Sequence, residues 1–301
     1  MSPARSRWSL EIGDDAYPPG LRDLDRRQRP RLLGIGCQDL VERLDPREAV
    51  TIVGSRRATG YGLRVAEDLG RDLALAGVVV VSGLAIGIDG AAHRGALAAN
   101  GRAIAVLAGG ADVVYPPRHG GLHRQIAESG AVVSEQPFGT APRKQDFPAR
   151  NRIMAALSAV VVVVEAAEPS GTMITADLAR DLGRDLAAVP GPVGARASAG
   201  TNGLLKDGCH LVRDAQDVLD LLAGVGVVTL VRRGPPLAPE LDRGLEAVEG
   251  GAVAPDELAR ETGLDGRGAA IALSQLQLFG FIARDPLGGY VRTGLARASP
   301  Q

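Results

Sequence analysis

Between Arg143 and Arg152 the chain reads Arg-Lys-Gln-Asp-Phe-Pro-Ala-Arg-Asn-Arg. The protein has two lysines, Lys144 and Lys206, and four phenylalanines, yet Lys144 and Phe147 stand three residues apart among three arginines. A cation beside a flat apolar ring offers charge for a phosphate and a face for a base, as single-stranded nucleic acid requires. The same residue types also suit a solvated basic loop with one buried aromatic. A second pair with chemical potential is Asp89 and His93, four apart after Gly87. On the first turn of a helix they could do acid-base work, or Asp89 could order the turn while His93 hydrogen-bonds inside it.

The elements that must position these residues are legible between 49 and 213. Seven short apolar runs are separated mostly by stretches of helical spacing: Ala49 to Val53, Val78 to Val81, Ala103 to Leu107, Ala131 to Val133, Val160 to Val164, Leu186 to Val189 and His210 to Val212. Continuous apolar runs suit strands covered on both faces, so the fold expected is a doubly wound α/β domain with a mostly parallel sheet. The runs end in Gly54-Ser55-Arg56, Ser82-Gly83, Gly109-Gly110, Ser134-Glu135, Glu165 and Pro190-Gly191. Glycine at a strand-to-helix turn has a plain conformational reason. Six small or polar endings together predict a binding edge at the carboxyl ends of the strands. Ser170-Gly171-Thr172 leads into a helical pattern whose free N–H groups, those of Gly171 and Thr172, would favour an anion at the same edge.

Composition narrows the function. At 301 residues, 45% hydrophobic and 23% charged, the chain is ordinary for a soluble globular protein of two domains. Cys37 and Cys209 have no metal-ligand or redox spacing, so a reducing cytoplasm is expected, without metal or disulfide. The first ten residues lack the apolar core of a signal peptide, and the greasy run Ile153 to Val164 is too short to span a bilayer. Net charge is −1. Residues 49 to 222 carry 17 Lys plus Arg against 17 Asp plus Glu, and residues 240 to 301 carry 6 Arg against 9 acids. Affinity for DNA must therefore come from a local patch.

Four domain segments follow: a short N-terminal segment, 1–48; a Rossmann-like domain, 49–222; a Gly- and Pro-rich linker, 223–239; and a small domain, 240–301. In the last, Leu241, Leu245 and Val248 share a helical face, Pro255 to Thr262 and Asp265 to Phe279 read as helices, and Phe281 to Arg284 with Tyr290 to Arg292 read as a hairpin. Three helices and a wing make a winged helix-turn-helix. Its third helix carries Arg267 at its start and no other cation, which favours a protein contact or packing over groove reading. Thr201-Asn202-Gly203-Leu204-Leu205 is a candidate dimer contact, or ordinary core.

No Gly-x-Gly-x-x-Gly follows the first expected strand, no Gly-x4-Gly-Lys-Ser/Thr loop occurs, and no nucleophile elbow surrounds Ser82. The residues do have a known pattern. Gly54-Ser55-Arg56, Ser82-Gly83-Leu84-Ala85-Ile86-Gly87-Ile88-Asp89 with Ala92-His93, Gly109-Gly110-x-Asp112-x-x-Tyr115-Pro116, Ser134-Glu135, Phe147-Pro148-x-Arg150-Asn151-Arg152-Ile153, Glu165 with Ser170-Gly171, and Pro190-Gly191 closely resemble the DprA/Smf family, in order from about residue 17 to 222. The tail resembles that family's winged-helix domain.

The resemblance implies an extended Rossmann-like fold and a cytoplasmic homodimer that binds single-stranded DNA with little sequence preference. It also implies loading of the recombinase RecA onto that DNA in natural transformation. Neither a cofactor nor enzymatic turnover is expected. It places strand contacts on Arg56, Lys144 and Phe147, with Arg150 and Arg152 as secondary contacts and Asn151 in the same motif. Gly54, Ser55, Gly83, Gly110, Gly171 and Thr172 complete the candidate edge. Many relatives begin with a helical domain, here expected to be absent or vestigial, and often carry a basic residue where this chain has Ile86. The alternative is a Rossmann-like nucleotide phosphoribohydrolase using Glu165 and Gly171-Thr172, whose Pro-Gly-Gly-x-Gly-Thr-x-x-Glu block is missing.

Overall fold

A computed structural model of the chain describes residues 6–230, 234–285, 288–293 and 295–297. They fall into two compact units that divide between Thr229 and Leu230.

The first unit is built on β3 (Ala49–Val53), β4 (Val79–Ser82), β5 (Ala103–Val106), β6 (Ala131–Ser134), β7 (Val160–Val163), β8 (Asp185–Ala188) and β9 (His210–Leu211). These are the seven expected strands. β3, β4, β5, β6 and β7 are buried along their whole length, the signature of a sheet covered on both faces. Two further strands were not foreseen. β1 (Arg7–Leu10) and β2 (Leu32–Gly36) join antiparallel, β2 pairing Leu33 with Ser134 of β6. Residues 7–10 and 32–36 of the N-terminal segment thus join the sheet. β1 alternates exposed Arg7 and Ser9 with buried Trp8 and Leu10, so it lacks the continuous apolar run that revealed the others. The segment between them is anchored by the buried Tyr17, whose hydroxyl donates to the Pro30 carbonyl at 2.8 Å.

The sheet order is β1-β2-β6-β5-β4-β3-β7-β8-β9. From β3 the chain winds outward through α2 (Gly60–Leu75), β4, α3 (Ile88–Ala98), β5, α4 (Gly120–Ser129) and β6. Then α5 (Asp146–Leu157) brings it back to β7, beside β3, and α6 (Gly171–Asp181) leads the other way to β8; α1 (Gln38–Glu42) precedes β3 in the chain, and α7 (Ala199–Lys206) and α8 (Ala215–Ala223) precede and follow β9. Connections therefore leave β3 and β7 in opposite directions, and a crevice must open between their carboxyl ends.

In the second unit α9 (Pro239–Glu249), α10 (Pro255–Thr262) and α11 (Gly266–Leu278) pack around Leu245, Leu258, Leu273, Leu276 and Phe281, with β10 (Ile282–Arg284) and β11 (Tyr290–Arg292) as an antiparallel wing. Asp265 caps α11 by accepting from the Gly268 N–H at 2.6 Å.

Candidate functional site

At the switch point lies a cleft of about 900 Å³. One side is the turn after β3. There the Ser55 N–H donates to the Glu165 carbonyl at 2.7 Å, tying the ends of β3 and β7 together, and Ser55 Oγ accepts from the Arg57 N–H at 3.0 Å. Gly54 is required by crowding, since a Cβ there would stand 2.6 Å from Ile88 Cγ1. With its own groups engaged, this turn pushes the exposed Arg56 and Arg57 side chains into the cleft.

The opposite side is the start of α5. Phe147 was expected on a loop, but Asp146 opens a helix: its N–H donates to the Arg143 carbonyl at 3.0 Å, and its carboxylate accepts from the Arg143 N–H at 2.8 Å. Pro148 is tolerated because the first helical turn needs no N–H partner there. Lys144 in this turn is exposed, and Phe147 is half-buried, neither core nor fully open. The Arg56 guanidinium lies 4.6 Å from the Phe147 ring centroid, within cation–π range. Tyr115, 44% exposed, meets the same ring at 5.7 Å and 56°. Sequence reasoning quoted Tyr115 as a motif residue without giving it a role. The signal was its place on the loop after β5, which Asp112 holds by accepting from Arg7 Nη2 and the Gly139 N–H, each at 2.8 Å.

The far end of the cleft is the N-terminus of α6, with Ser170, Gly171 and Thr172, and the turn bearing Arg196. The side chains lining the whole cleft include five cations, Arg56, Arg57, Lys144, Arg150 and Arg196, against one carboxylate, Asp89. In a domain of balanced charge this is the local positive patch the composition required. Arg57 and Arg196 had been passed over because single arginines are unremarkable in an arginine-rich chain.

The candidate residues separate by position. Arg56, Lys144, Phe147, Gly54, Ser55, Asn151, Arg150, Gly171 and Thr172 all line the cleft. Gly83 lines a smaller adjoining pocket with Leu107, Tyr115 and Phe147. Gly110 is buried with its N–H donated to the Thr140 carbonyl at 2.8 Å, so it cannot serve a strand. Arg152 is also removed from the contact set. Its guanidinium makes a two-pronged pair with Glu135 at 2.6 and 2.9 Å, and its Nε donates to the Gln28 carbonyl at 3.0 Å. Arg150 is only 4% exposed, which is not how an open phosphate contact is presented. Leu204 is 1% exposed and belongs to the core, so it offers no dimer contact.

The Asp89–His93 pair is not an acid-base couple, for no hydrogen bond joins the two among the described residues. The Asp89 carboxylate accepts from the Ala85 N–H at 3.4 Å. Burial raises its pKa, opposed chiefly by Arg150. His93 is sealed in the core, and burial pushes its pKa down to about 3, so the ring is neutral. Glu165, central to the hydrolase alternative, has both carboxylate oxygens on Thr59, accepting from its N–H at 2.8 Å and its Oγ1 at 2.5 Å. Among the described residues no group of three or more His, Cys, Asp or Glu could hold a metal ion, and no helix is long and apolar enough to cross a membrane.

The chain is similar to known proteins along most of its length. Residues 8–223 match the family model of DNA recombination-mediator protein A, and residues 230–288 match the DprA winged helix domain. A putative DNA processing protein DprA of Mycobacterium tuberculosis is 43% identical over 258 residues, covering 83% of this chain and 66% of the relative's length. The X-ray structure of DprA from Streptococcus pneumoniae aligns with a TM-score of 0.65 at 39% identity, over 72% of this chain and 74% of that one. A Helicobacter pylori DprA structure, described for its single-stranded DNA binding mode, aligns with a TM-score of 0.64 at 32% identity, over 74% of this chain and 98% of that one.

Proposed function

The chain belongs to the DprA/Smf family of DNA recombination-mediator proteins, and from that premise we propose that it binds single-stranded DNA with little sequence preference in the cleft between β3 and β7. As a cytoplasmic homodimer it then loads the RecA recombinase onto incoming DNA in natural transformation and recombination. The observation that carries the reading is the gathering in one cleft of cations that form no ion pair among the described residues with an aromatic cluster: Arg56, Arg57 and Lys144 with Phe147 and Tyr115.

The chemistry is electrostatic neutralisation plus stacking. Arg56 and Lys144 meet successive phosphates, Phe147 and Tyr115 offer ring faces to bases, and the N–H groups of Gly171 and Thr172 receive a phosphate at the far end. Stacking accepts any base, and contacts to phosphates carry no sequence information, so the preference among sequences is weak. The protein acts by binding and hand-over, without turnover.

The test is a titration of the full chain with a labelled oligonucleotide, single-stranded and as its duplex. A RecA filament assay on the same strand coated with single-strand binding protein completes it. The expected result is preference for the single strand and faster filament nucleation in the presence of the protein. Equal affinity for duplex, or release of free base from nucleoside monophosphates, would contradict the proposal.

A further inference from the structure

We infer that Arg150 is a positioning residue for the aromatic wall of the cleft, holding the first turn of α5, and with it Phe147, against the ends of β4 and β5 without itself contacting the phosphate backbone. The inference rests on the reading of the cleft as a single-strand site and assigns the buried arginine beneath it a task.

Arg150 follows Phe147 by three residues, so both lie on one face of α5. Its side chain turns inward. Nη1 donates to the carbonyl of Val106, the last residue of β5. The guanidinium fills the space over Gly83, just past β4, where a Cβ would stand 1.9 Å from Nη1. Glycine at 83 is therefore the condition for this arginine to enter. Asp89, itself buried, supports the positive charge from α3, while burial pushes the Arg150 pKa down to about 10, leaving it charged at neutral pH.

The rest of α5 is fastened elsewhere. Arg152 pairs with Glu135 on the outer side, and the Met154 carbonyl accepts from Thr51 Oγ1 of β3 at 2.8 Å. Arg152 Nη1 also reaches back to the Ala149 carbonyl at the end of the first turn, but among the described residues the bond from Arg150 is the one that runs from this end of α5 to the strand ends beneath Phe147. Turning the guanidinium toward a phosphate would strip the buried Val106 carbonyl of this donor, a change that buried polar groups resist.

The experiment measures affinity of the full chain for a labelled oligothymidylate across a salt series, for the parent, Arg150→Met, Arg150→Lys, Gly83→Ala, Phe147→Ala and the double variants. Circular dichroism confirms folding of each. We expect Arg150→Met to weaken binding on the order of tenfold with the salt slope unchanged, whereas loss of one phosphate contact would flatten it by about 0.7. In a Phe147→Ala background Arg150→Met should add less than about twofold, because the two residues act through one wall. Arg150→Lys should recover part of the loss. Gly83→Ala, which displaces the guanidinium while leaving it in the chain, should reproduce the Arg150→Met phenotype and carry the test if that variant does not fold.

A flattened slope would make Arg150 a phosphate contact, and full additivity with Phe147→Ala would make it a general stabiliser; either overturns the inference while leaving the cleft assignment intact. If the parent fails to bind the oligonucleotide, the cleft reading falls first and this inference with it.

Discussion

Phe147 carries the Arg56 guanidinium on its face and Tyr115 beside it, and Lys144 stands three residues upstream. The two kinds of contact should separate experimentally. Phe147→Ala removes a stacking face worth about 1–3 kcal/mol, so affinity for a single strand should fall roughly 5- to 150-fold with no change in salt slope. Lys144→Ala should instead flatten the slope by about 0.7, one phosphate contact on a single strand. Titrations at several salt concentrations read both quantities. These residues were legible because lysine and phenylalanine are rare in this chain. Arg152 was not, because what decides its role is Glu135, seventeen residues away in sequence, and no spacing rule announces that pairing. Tyr115 escaped for the related reason that its partner ring comes from the start of α5, 32 residues on in sequence.

At the scale of elements, the turn after β3 is locked by a carboxylate. Thr59 caps α2, its Oγ1 accepting from the Gly62 N–H at 3.2 Å while donating to Glu165. Thr59→Ala should cost about 1 kcal/mol of stability, as losing an N-cap does, read as a shift of the urea midpoint at unchanged m-value. In α3, His93 gives the fold a pH dependence. An unfolded imidazole protonates near 6.5, whereas the folded ring resists protonation down to about 3. Stability from this group is therefore fully present above about pH 6.5 and declines as the pH falls toward 3, because the unfolded chain binds the extra proton. His93→Gln, similar in size but not titrating, should show a smaller loss of unfolding midpoint between pH 7.5 and pH 5 than the parent. Continuous apolar runs made the parallel strands readable. β1 was missed because an edge strand with one solvated face shows alternation over only a few residues, and β2 because Gly34 and Gly36 interrupt its short apolar run.

For the whole molecule, a net charge of −1 leaves no general field to draw DNA in. The work falls to the cations gathered at one crevice, which the β3–β7 switch point creates by topology. The crevice could be anticipated from strand endings; the company of five cations within it depends on how α5, α6 and the turn at Arg196 fold back to one place. The winged unit has its own core, and α11 exposes Ile271 and Leu278 beside a single cation, Arg267. That surface is poorly suited to a polyanion. A chain ending at Thr229 should accordingly hold a single strand within about threefold of full-length affinity, since every residue lining the cleft belongs to the first unit. The most direct test of the central claim is photocross-linking of a bromodeoxyuridine-substituted single strand to the full chain, with mass-spectrometric mapping of the modified residues. Cross-links are expected at Phe147 and Tyr115, lost when excess unlabelled single strand competes. Cross-links confined to residues 266–278, with none in the cleft, would contradict it.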